Sequence, residues 1–420
     1  MIHQTPEETL DNCIKCNICV TECPVANVTE LFPGPKYEGP QAARFRGGKQ
    51  ESPDHSVDYC SGCRVCNLVC PTGVKIAEIN ARARAVMVSE GEVGLRNRIR
   101  NNLIARPEML NRMVRPVAPL ANAILGFAPA RWLAEKTIGI DRRAAMPTFA
   151  NESFRKWFET RPRSPNPQRQ RRVVYFAACS TESYEARVGR AAVAVMEANG
   201  FEVVLPKQNC CGLPLLSNGE FAAAEKYHRS NVDKLAKWAR EGFDIVGTST
   251  SCTLTLKEEA PELLGIHDED SRLVAEATYD IDEYLQIFHQ NGELAPPQRS
   301  IPLRLAYHPP CQYRGHRIGL PAAEMLQQIP DLEIAISDVA CCGIAGTYGY
   351  KKEKYDIAMA VGEPLFDFVD EVGGPVAVCD SETCRWQITA GTGTDAVHPV
   401  ELLAYSYGAE VSDPLASILP

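Results

Sequence analysis

Long apolar runs are what this sequence most clearly lacks. No window approaches the roughly 18 consecutive apolar residues of a membrane-spanning helix, so the chain is not expected to cross a membrane by itself. The first residues, MIHQTPEETLDNC, contain no basic segment followed by an apolar one, as a secretory signal would. We therefore expect a cytoplasmic protein, in a reducing compartment where disulfides are rare.

Motifs that bind nucleic acid or dinucleotides are also missing. Residues 94–170 are rich in arginine although the whole chain carries a net charge of -9, but no interleaved aromatic residues accompany these charges. The pattern predicts no nucleic acid partner and favours an anionic lipid surface or an acidic partner protein, with a solvated linker face as the alternative. The string GTGTDA at 391–396 follows no convincing strand, so we expect a loop there and no bound flavin.

Cysteine, in contrast, is abundant, with 17 in 420 residues. Eight of them form two full runs, each followed by proline: Cys13-x2-Cys16-x2-Cys19-x3-Cys23 and Cys60-x2-Cys63-x2-Cys66-x3-Cys70. Neighbouring cysteines at this spacing do not pair well as disulfides. It is, however, the spacing with which bacterial two-cluster ferredoxins hold [4Fe-4S] clusters.

In such runs three thiolates bind one cluster and the fourth reaches the other cluster. The sequence thus predicts two ligand sets, Cys13, Cys16, Cys19 and Cys70 for cluster 1 and Cys60, Cys63, Cys66 and Cys23 for cluster 2. Structural zinc is the alternative, which we disfavour because zinc sites rarely interleave their ligands in this way. Apolar neighbours are expected to limit water around the clusters: Ile14, Ile18, Val20, Val65, Leu68 and Val69.

The second half of the chain contains an internal repeat, in which four cysteines recur about 130 residues apart. The matched positions are Cys179 and Cys311, Cys210-Cys211-Gly212 and Cys341-Cys342-Gly343, and Cys252 and Cys384. Short β-rich runs alternate with helical stretches around both sets, which predicts two α/β modules with largely parallel sheets. The predicted fold is α+β overall, with a mainly helical ferredoxin domain (1–93), a basic connector (94–170) and two repeated modules (171–300 and 301–420).

Two further segments of the connector stand out. The stretch PVAPLANAILGFAPARWL at 116–133 is apolar but short and interrupted by prolines, so we expect it to dock on a membrane surface or a partner, with a buried core helix as the alternative. The stretch RPRSPNPQRQ at 161–170 is rich in turn residues and predicts a linker.

Paired cysteines followed by glycine resemble the CCG domain found in the B subunit of heterodisulfide reductase. The wider order of DNCIKCNICVTECPV, FPGPKYEGP, NCCGLPLLSNG, YHPPC, CCGIAGTYGYKKEKY and SETCRWQI closely resembles the C subunits of anaerobic glycerol-3-phosphate dehydrogenases over essentially the whole chain. This resemblance implies an electron-transfer protein, not catalytic alone, that passes electrons from flavoprotein dehydrogenase subunits to menaquinone or ubiquinone. It also implies a peripheral position on the inner face of the cell membrane.

The resemblance further implies one or two more iron-sulfur clusters in the CCG modules. Their ligands would be Cys179, Cys210, Cys211 and Cys252 in the first module and Cys311, Cys341, Cys342 and Cys384 in the second. Heterodisulfide reductase has five cysteines per module, whereas this chain has Ser249 and Ser381 at the fifth position, and Cys379 is the one spare thiol.

Two alternatives stay open on the sequence alone. A glycolate or lactate oxidase could be the catalytic partner, since its iron-sulfur subunit shares this order of parts. A heterodisulfide reductase-like thiol/disulfide enzyme is the other alternative, which the two serines disfavour. His308 and His398 lie near the cysteines in sequence, but we expect each to be an ordinary hydrogen-bonded histidine.

Overall fold

The N-terminal part of the molecule is built from short helices around the two cysteine runs. The computed structural model describes residues 4–46, 55–162 and 171–419. The helices here are α1 (Ile18–Thr21), α2 (Ala42–Arg46), α3 (Val65–Leu68) and α4 (Ile76–Ser89). Short 3₁₀ turns cover Glu8–Asn12 and Ser56–Tyr59, and a π-helical turn covers Tyr37–Gln41. A mainly helical first domain is confirmed.

The connector is mainly helical over its described residues, 94–162, with an irregular stretch at 139–153. Its helices are α5 (Leu95–Ile104), α6 (Pro107–Val114), α7 (Ala118–Gly126), α8 (Ala128–Thr137) and α9 (Phe154–Thr160). The apolar stretch 116–133 folds into α7 and the first part of α8. Leu120, Ile124, Phe127 and Leu133 are each at least half exposed, so the alternative of a buried core helix is wrong. Most of the predicted linker at 161–170 lies outside the described residues.

The first module is a four-stranded parallel sheet with the order β2-β1-β3-β4. Its strands are β1 (Arg171–Phe176), β2 (Phe201–Val204), β3 (Asp244–Gly247) and β4 (Thr278–Asp280). Its helices are α10 (Cys179–Ser183), α11 (Ala186–Ala198), α12 (Leu213–Ser217), α13 (Phe221–Arg240), α14 (Thr250–Leu254), α15 (Ala260–Leu264), α16 (Glu269–Glu276) and α17 (Ile281–Gln290). A π-helical turn, Thr255–Glu259, joins α14 to α15.

The second module repeats this sheet, with the order β6-β5-β7-β8 and all strands parallel. Its strands are β5 (Arg304–Tyr307), β6 (Glu333–Ile336), β7 (Ala377–Val378) and β8 (Ala396–Val397). Its helices are α18 (Cys311–His316), α19 (Pro321–Leu326), α20 (Tyr355–Val372), α21 (Glu382–Thr392), α22 (Pro399–Ser406) and α23 (Leu415–Ile418). The predicted pair of parallel α/β modules is confirmed.

The two modules share one hydrophobic core. Val173 and Tyr175 of β1 belong to the same buried cluster as Leu305 and Tyr307 of β5. Helices near the end of each module pack on the other module: α22 lies against α11, and α17 lies against α19. The modules are therefore held face to face, which brings the carboxyl ends of both sheets towards one region, where open α/β sheets place their sites.

Ion pairs of buried cations attach the ferredoxin domain to this core. The guanidinium of Arg64 lies 2.7 Å from a carboxylate oxygen of Glu258 in the first module and also pairs with Glu78. Lys354 of the second module, almost fully buried, pairs with Asp58 at 2.7 Å. Because the Arg64 and Lys354 side chains are themselves buried and would be left unpaired without these carboxylates, the pairs help to fix how the ferredoxin domain sits on the modules.

Candidate metal centres

Both ferredoxin runs curl in the same way. Lys15 and Asn17 have φ of 62° and 70°, and the matching positions of the second run, Gly62 and Arg64, have 72° and 63°. Such left-handed conformations are uncommon for residues other than glycine. They wind each C-x2-C-x2-C segment into a tight loop whose cysteines face one small cavity.

The first cavity lies at the surface of the molecule. It is lined by Cys13, Cys16, Cys19 and Cys70. The backbone N–H of Val74 donates to Cys70 Sγ at 3.3 Å. Cys16 is exposed, and the side chain of Ile14 is 64% exposed. The expected apolar shield is therefore wrong at Ile14, and at Ile18 and Leu68, which are also exposed, because this edge of the domain faces solvent.

The second cavity is more deeply buried, since three of its four cysteines are buried. It is lined by Cys23, Cys60, Cys63 and Cys66. Burial raises the pKa of Cys23 to about 11, although the backbone N–H of Ala26 lies 3.5 Å from its sulfur and opposes that rise. Asn80 of α4 donates to Cys60 Sγ at 3.6 Å, a contact that the cysteine spacing alone does not reveal. Each predicted set of four thiols is thus brought together around its own cavity.

A third cavity, of about 140 Å³, lies between the two modules. Its lining includes Cys63 and seven cysteines of the modules: Cys179, Cys211, Cys252, Cys311, Cys341, Cys342 and Cys384. Cys210 sits just behind it, with its sulfur 3.8 Å from that of Cys179. Since Cys63 also lines the second cavity, the thiols form a continuous series from the ferredoxin domain into the modules.

Glycine is required after each cysteine pair. Gly212 and Gly343 have φ of +93° and +91°, a left-handed backbone that residues with a side chain rarely adopt. A Cβ on Gly343 would also lie 1.9 Å from the carbonyl oxygen of Ala358 in α20. The chain therefore turns sharply after Cys342 and packs closely on α20.

Within the modules, neighbouring thiols interact in pairs, and each interaction lowers the pKa of one thiol of the pair. The hydrogen bond between Cys179 and Cys210 lowers the pKa of Cys210, and the matching bond between Cys311 and Cys341 lowers that of Cys341. A bond from Cys342, whose sulfur is 2.9 Å away, lowers the pKa of Cys384. One member of each pair is therefore the better thiolate, the form that binds iron.

The thiols of the two ferredoxin cavities fit an iron-sulfur cluster. Within the described ranges, no three His, Cys, Asp or Glu side chains converge on a point where a single metal ion would be held. A four-iron cluster instead places its thiolate ligands around a larger volume. The donor sets of the two ferredoxin cavities, four thiols to a cavity with backbone N–H groups directed at sulfur, fit that group.

Comparison with known families agrees with the two kinds of thiol site. Residues 9–74 match the 4Fe-4S dicluster domain, and residues 173–257 and 305–389 each match the cysteine-rich domain named CCG. These matches indicate that the chain binds 4Fe-4S clusters.

Full-length comparison decides the family. The chain is 35% identical over 400 residues to the C subunit of anaerobic glycerol-3-phosphate dehydrogenase of Escherichia coli K12, which covers 95% of this chain and 98% of that protein. This chain belongs to the family of these C subunits. The resemblance noted in the sequence is confirmed, and the role of an iron-sulfur protein in oxidoreductase chemistry, with partner subunits, follows from it.

More distant relatives share parts of this C-subunit architecture. Lactate utilization protein A of Exiguobacterium sp. is 26% identical, covering 55% of this chain and 94% of that protein. The B subunit of the fumarate reductase (CoM/CoB) of Methanothermobacter marburgensis is 26% identical, covering 55% of this chain but 44% of that protein. One of the alternatives that the sequence left open, a lactate oxidase partner, thus also corresponds to the name of a relative.

The serines that replace a fifth cysteine occupy helix N-caps in this member of the C-subunit family. Ser249 precedes α14 and donates to a carboxylate oxygen of Glu382 at 3.3 Å, while Ser381 precedes α21 and lines the third cavity. Cys379 is fully buried and within hydrogen-bonding reach of Cys384, but it does not line that cavity. Whether Cys379 binds iron stays a prediction.

The two histidines differ. His398 is satisfied as expected, since its ring nitrogens contact Thr248 O at 2.9 Å and Val400 N at 3.0 Å. His308 is buried beside Cys384, whose pKa it helps to lower after the larger effects of Cys342 and Cys379. Its ring nitrogens have no other partner among the described residues. The corresponding residue of the first module is Phe176, so the two thiol sites are chemically different.

Proposed function

We propose that this chain is the electron-transfer subunit of a quinone-linked anaerobic glycerol-3-phosphate dehydrogenase. Electrons would enter from a flavoprotein catalytic partner and leave towards menaquinone or ubiquinone. The observation that carries the proposal is the series of adjoining thiol cavities, in which Cys63 lines both the second and the third. An iron-sulfur cluster accepts and donates single electrons, and electron transfer is fast only over short distances.

The exposed first cavity suits the entry of electrons. Cys16 is exposed, and four exposed apolar side chains lie in the same N-terminal segment: Ile14, Ile18, Val28 and Leu31. A partner that covered this face would bring its own cofactor close to the first set of thiolates. The face is apolar enough to be buried in a complex, where exposed apolar area is normally covered.

The connector suits attachment to a membrane surface. Among the described residues, no helix is both long and apolar enough to span a membrane. However, α6 to α8 and their joints expose Met109, Met113, Val117, Leu120, Ile124, Phe127, Trp132 and Leu133. Exposed basic residues lie on the same helices or next to them, among them Arg98, Arg112 and Lys136. Apolar side chains flanked by positive charge bind anionic lipid surfaces.

The test is to purify the chain without oxygen together with the proteins that bind it. Iron and sulfide content with electron paramagnetic resonance should show at least two [4Fe-4S] clusters. The complex should reduce a quinone with glycerol 3-phosphate as the electron donor. A preparation without iron, or with zinc in its place, would contradict the proposal.

A lactate or glycolate oxidase partner is the second candidate, favoured by the likeness to lactate utilization protein A. The same complex should therefore be assayed with lactate and with glycolate. If the complex oxidised lactate or glycolate but not glycerol 3-phosphate, the chain would still be an electron-transfer subunit, but its catalytic partner would be a different enzyme. Reduction of a heterodisulfide by the isolated chain would instead indicate an enzyme in its own right.

A further inference from the structure

A large apolar cavity lies between the connector and the modules. Its volume is about 430 Å³, which is in the range of small-molecule sites. Its walls are formed by α5 to α8 of the connector on one side and by α10 and α21 of the modules on the other. The lining is almost entirely apolar, with Leu103, Leu110 and Ile138 among its residues.

The inner end of this cavity adjoins the thiol cavity between the modules. Six residues line both: Cys179, Pro214, Gly346, Thr347, Glu382 and Thr383. A molecule bound at this end would therefore contact Cys179, a predicted cluster ligand. A single layer of residues separates this end of the apolar cavity from the thiol cavity.

The outer end reaches the exposed apolar face of the connector. Ile124 lines the cavity and is itself 50% exposed, between Leu120 and Phe127, which are also exposed. A lipid-soluble molecule could thus enter from a membrane on which this face rests, without crossing water.

The inner part of the cavity also offers a surface that could bind an aromatic ring and a hydrogen-bond donor without a partner among the described residues. Phe149, Tyr184 and Trp386 form an aromatic wall, with ring centroids 5.1 Å apart for the first two and 5.7 Å for the last two. Tyr350 lines the same cavity, is only 8% exposed, and its hydroxyl has no hydrogen-bond partner among the described residues. A buried polar group without a partner is costly, so a ligand that accepts this hydrogen bond would be favoured.

We propose that this cavity binds the ring of a lipid-soluble quinone, with Tyr350 donating a hydrogen bond to a ring carbonyl and the isoprenoid tail leaving past Ile124. This inference rests on the proposed function, which supplies the electrons. Reduction of the quinone to the quinol takes up two electrons, which come from the reduced clusters as these are oxidised, and two protons, which come from water.

The test uses the cluster-containing full chain and two probes, ubiquinone-1 and menadione. Binding is measured on the oxidised protein, and a photoreactive azido-quinone locates the site by peptide mass spectrometry. Reoxidation of the dithionite-reduced protein is then followed with quinone and, separately, with ferricyanide, which needs no cavity.

Filling the cavity should abolish the quinone site. Ala121→Trp places a large ring into it from α7, and Ala134→Phe does so from α8, so the test does not depend on one variant folding. Both should weaken quinone binding and slow quinone-dependent reoxidation by about tenfold or more, with iron content, resonance spectra and ferricyanide reoxidation unchanged. Ala123→Trp is the matched control, since Ala123 is exposed on the same helix and does not line the cavity.

Tyr350→Phe removes the donor and keeps the ring. Quinone affinity should fall by about fivefold, the loss expected for one hydrogen bond, without a change in the cluster spectra. Azido-quinone labelling should fall on peptides that line the cavity.

Three results would overturn the proposal, and a fourth would overturn the proposed function instead. Unaltered quinone binding in both cavity-filling variants would show that the quinone binds elsewhere, and the proposed electron transfer would still stand. Azido-quinone labelling confined to peptides outside the cavity would lead to the same conclusion. If quinone bound in the cavity but never reoxidised the wild-type clusters, the proposed function would fail and the cavity would remain a binding site. Binding of lipid in place of quinone would likewise reject the proposal.

Discussion

Arg100 of the connector and Glu353 of the second module form a two-pronged ion pair, with nitrogen-oxygen distances of 2.8 and 2.7 Å. The Arg100 side chain is only 1% exposed and also donates to Gly139 O at 3.1 Å. Other positive charges of the connector are used in this way, since Arg106 and Arg115 pair with Glu220 and Glu182. These pairs hold α5 and α6 against the modules and so form one wall of the apolar cavity.

Breaking this pair should loosen the connector. Arg100→Leu leaves Glu353 without its partner and should lower the free energy of unfolding by about 2–4 kcal/mol. Limited trypsin digestion should then cut within residues 94–137 more readily, while the resonance signals of the ferredoxin clusters stay the same. In a double-mutant cycle, Arg100→Leu with Glu353→Leu should cost less than the sum of the two single changes. Strict additivity would show that the pair is not coupled.

Removing one ligand of the second predicted cluster should interrupt electron transfer through the chain. Cys63→Ser is expected to damage the second cluster and to stop electron flow from the partner to quinone, because Cys63 lies between the second and third cavities. Resonance spectra of the reduced protein and iron content check the first effect, and quinone reduction by the complex checks the second. Unchanged spectra together with unchanged quinone reduction would mean that the ligand assignment is wrong.

The glycine of the second CCG triplet should not tolerate a side chain. Gly343→Ala adds a Cβ that would meet Ala358 O and also forces alanine into a left-handed backbone, so we expect a loss of more than about 4 kcal/mol or failure to fold. Gly319→Ala is the control, since its φ is +78° but no atom lies within 4 Å of the added Cβ. That variant should lose only about 1–2 kcal/mol. Equal losses in the two would show that the contact with α20 does not matter.

Acid should weaken the first module through His228. Burial lowers the pKa of this fully buried histidine to about 4, against an ordinary value near 6.5. The unfolded chain therefore binds a proton between pH 6.5 and pH 4 that the folded chain does not, so stability is present above this window and falls as the pH drops through it. From pH 7 to pH 5 the loss should be about 2 kcal/mol.

Comparing variants isolates this histidine from other acid-sensitive groups. Denaturant unfolding at about pH 7 and about pH 5 should show a smaller pH effect for His228→Gln than for the wild type. His267→Gln, at an exposed position, should behave as the wild type does. If the pH effect were the same in all three proteins, His228 would not be its source.

Charge placed on the apolar face of the connector should reduce membrane binding. Leu120→Glu and Phe127→Glu each replace an exposed apolar side chain, 61% and 60% exposed. Each should weaken binding to vesicles that contain phosphatidylglycerol by about tenfold. Ile287→Glu changes a similarly apolar but distant exposed residue on α17 and should have little effect. Equal vesicle binding by all variants would show that the connector does not mediate membrane binding.

Spacing in the sequence predicted the parts of this protein well. The two C-x2-C-x2-C-x3-C-P runs carried enough information to assign two sets of thiols, and each set lines its own cavity. The 132-residue period between Cys179 and Cys311 was enough to expect two α/β modules. It did not reveal β4 and β8, because a strand of two or three residues has almost no hydrophobic period of its own.

What the amino-acid sequence determined by itself is local: spacing places thiols, glycine allows the sharp turns, and alternation builds each sheet. What only the tertiary structure decided is which distant groups meet, namely α22 on α11, Cys63 beside the module thiols, and Tyr350 beside the connector. These contacts depend on packing between segments that are far apart in the chain. No local pattern records them, since burial and ion pairing across the core decide the outcome.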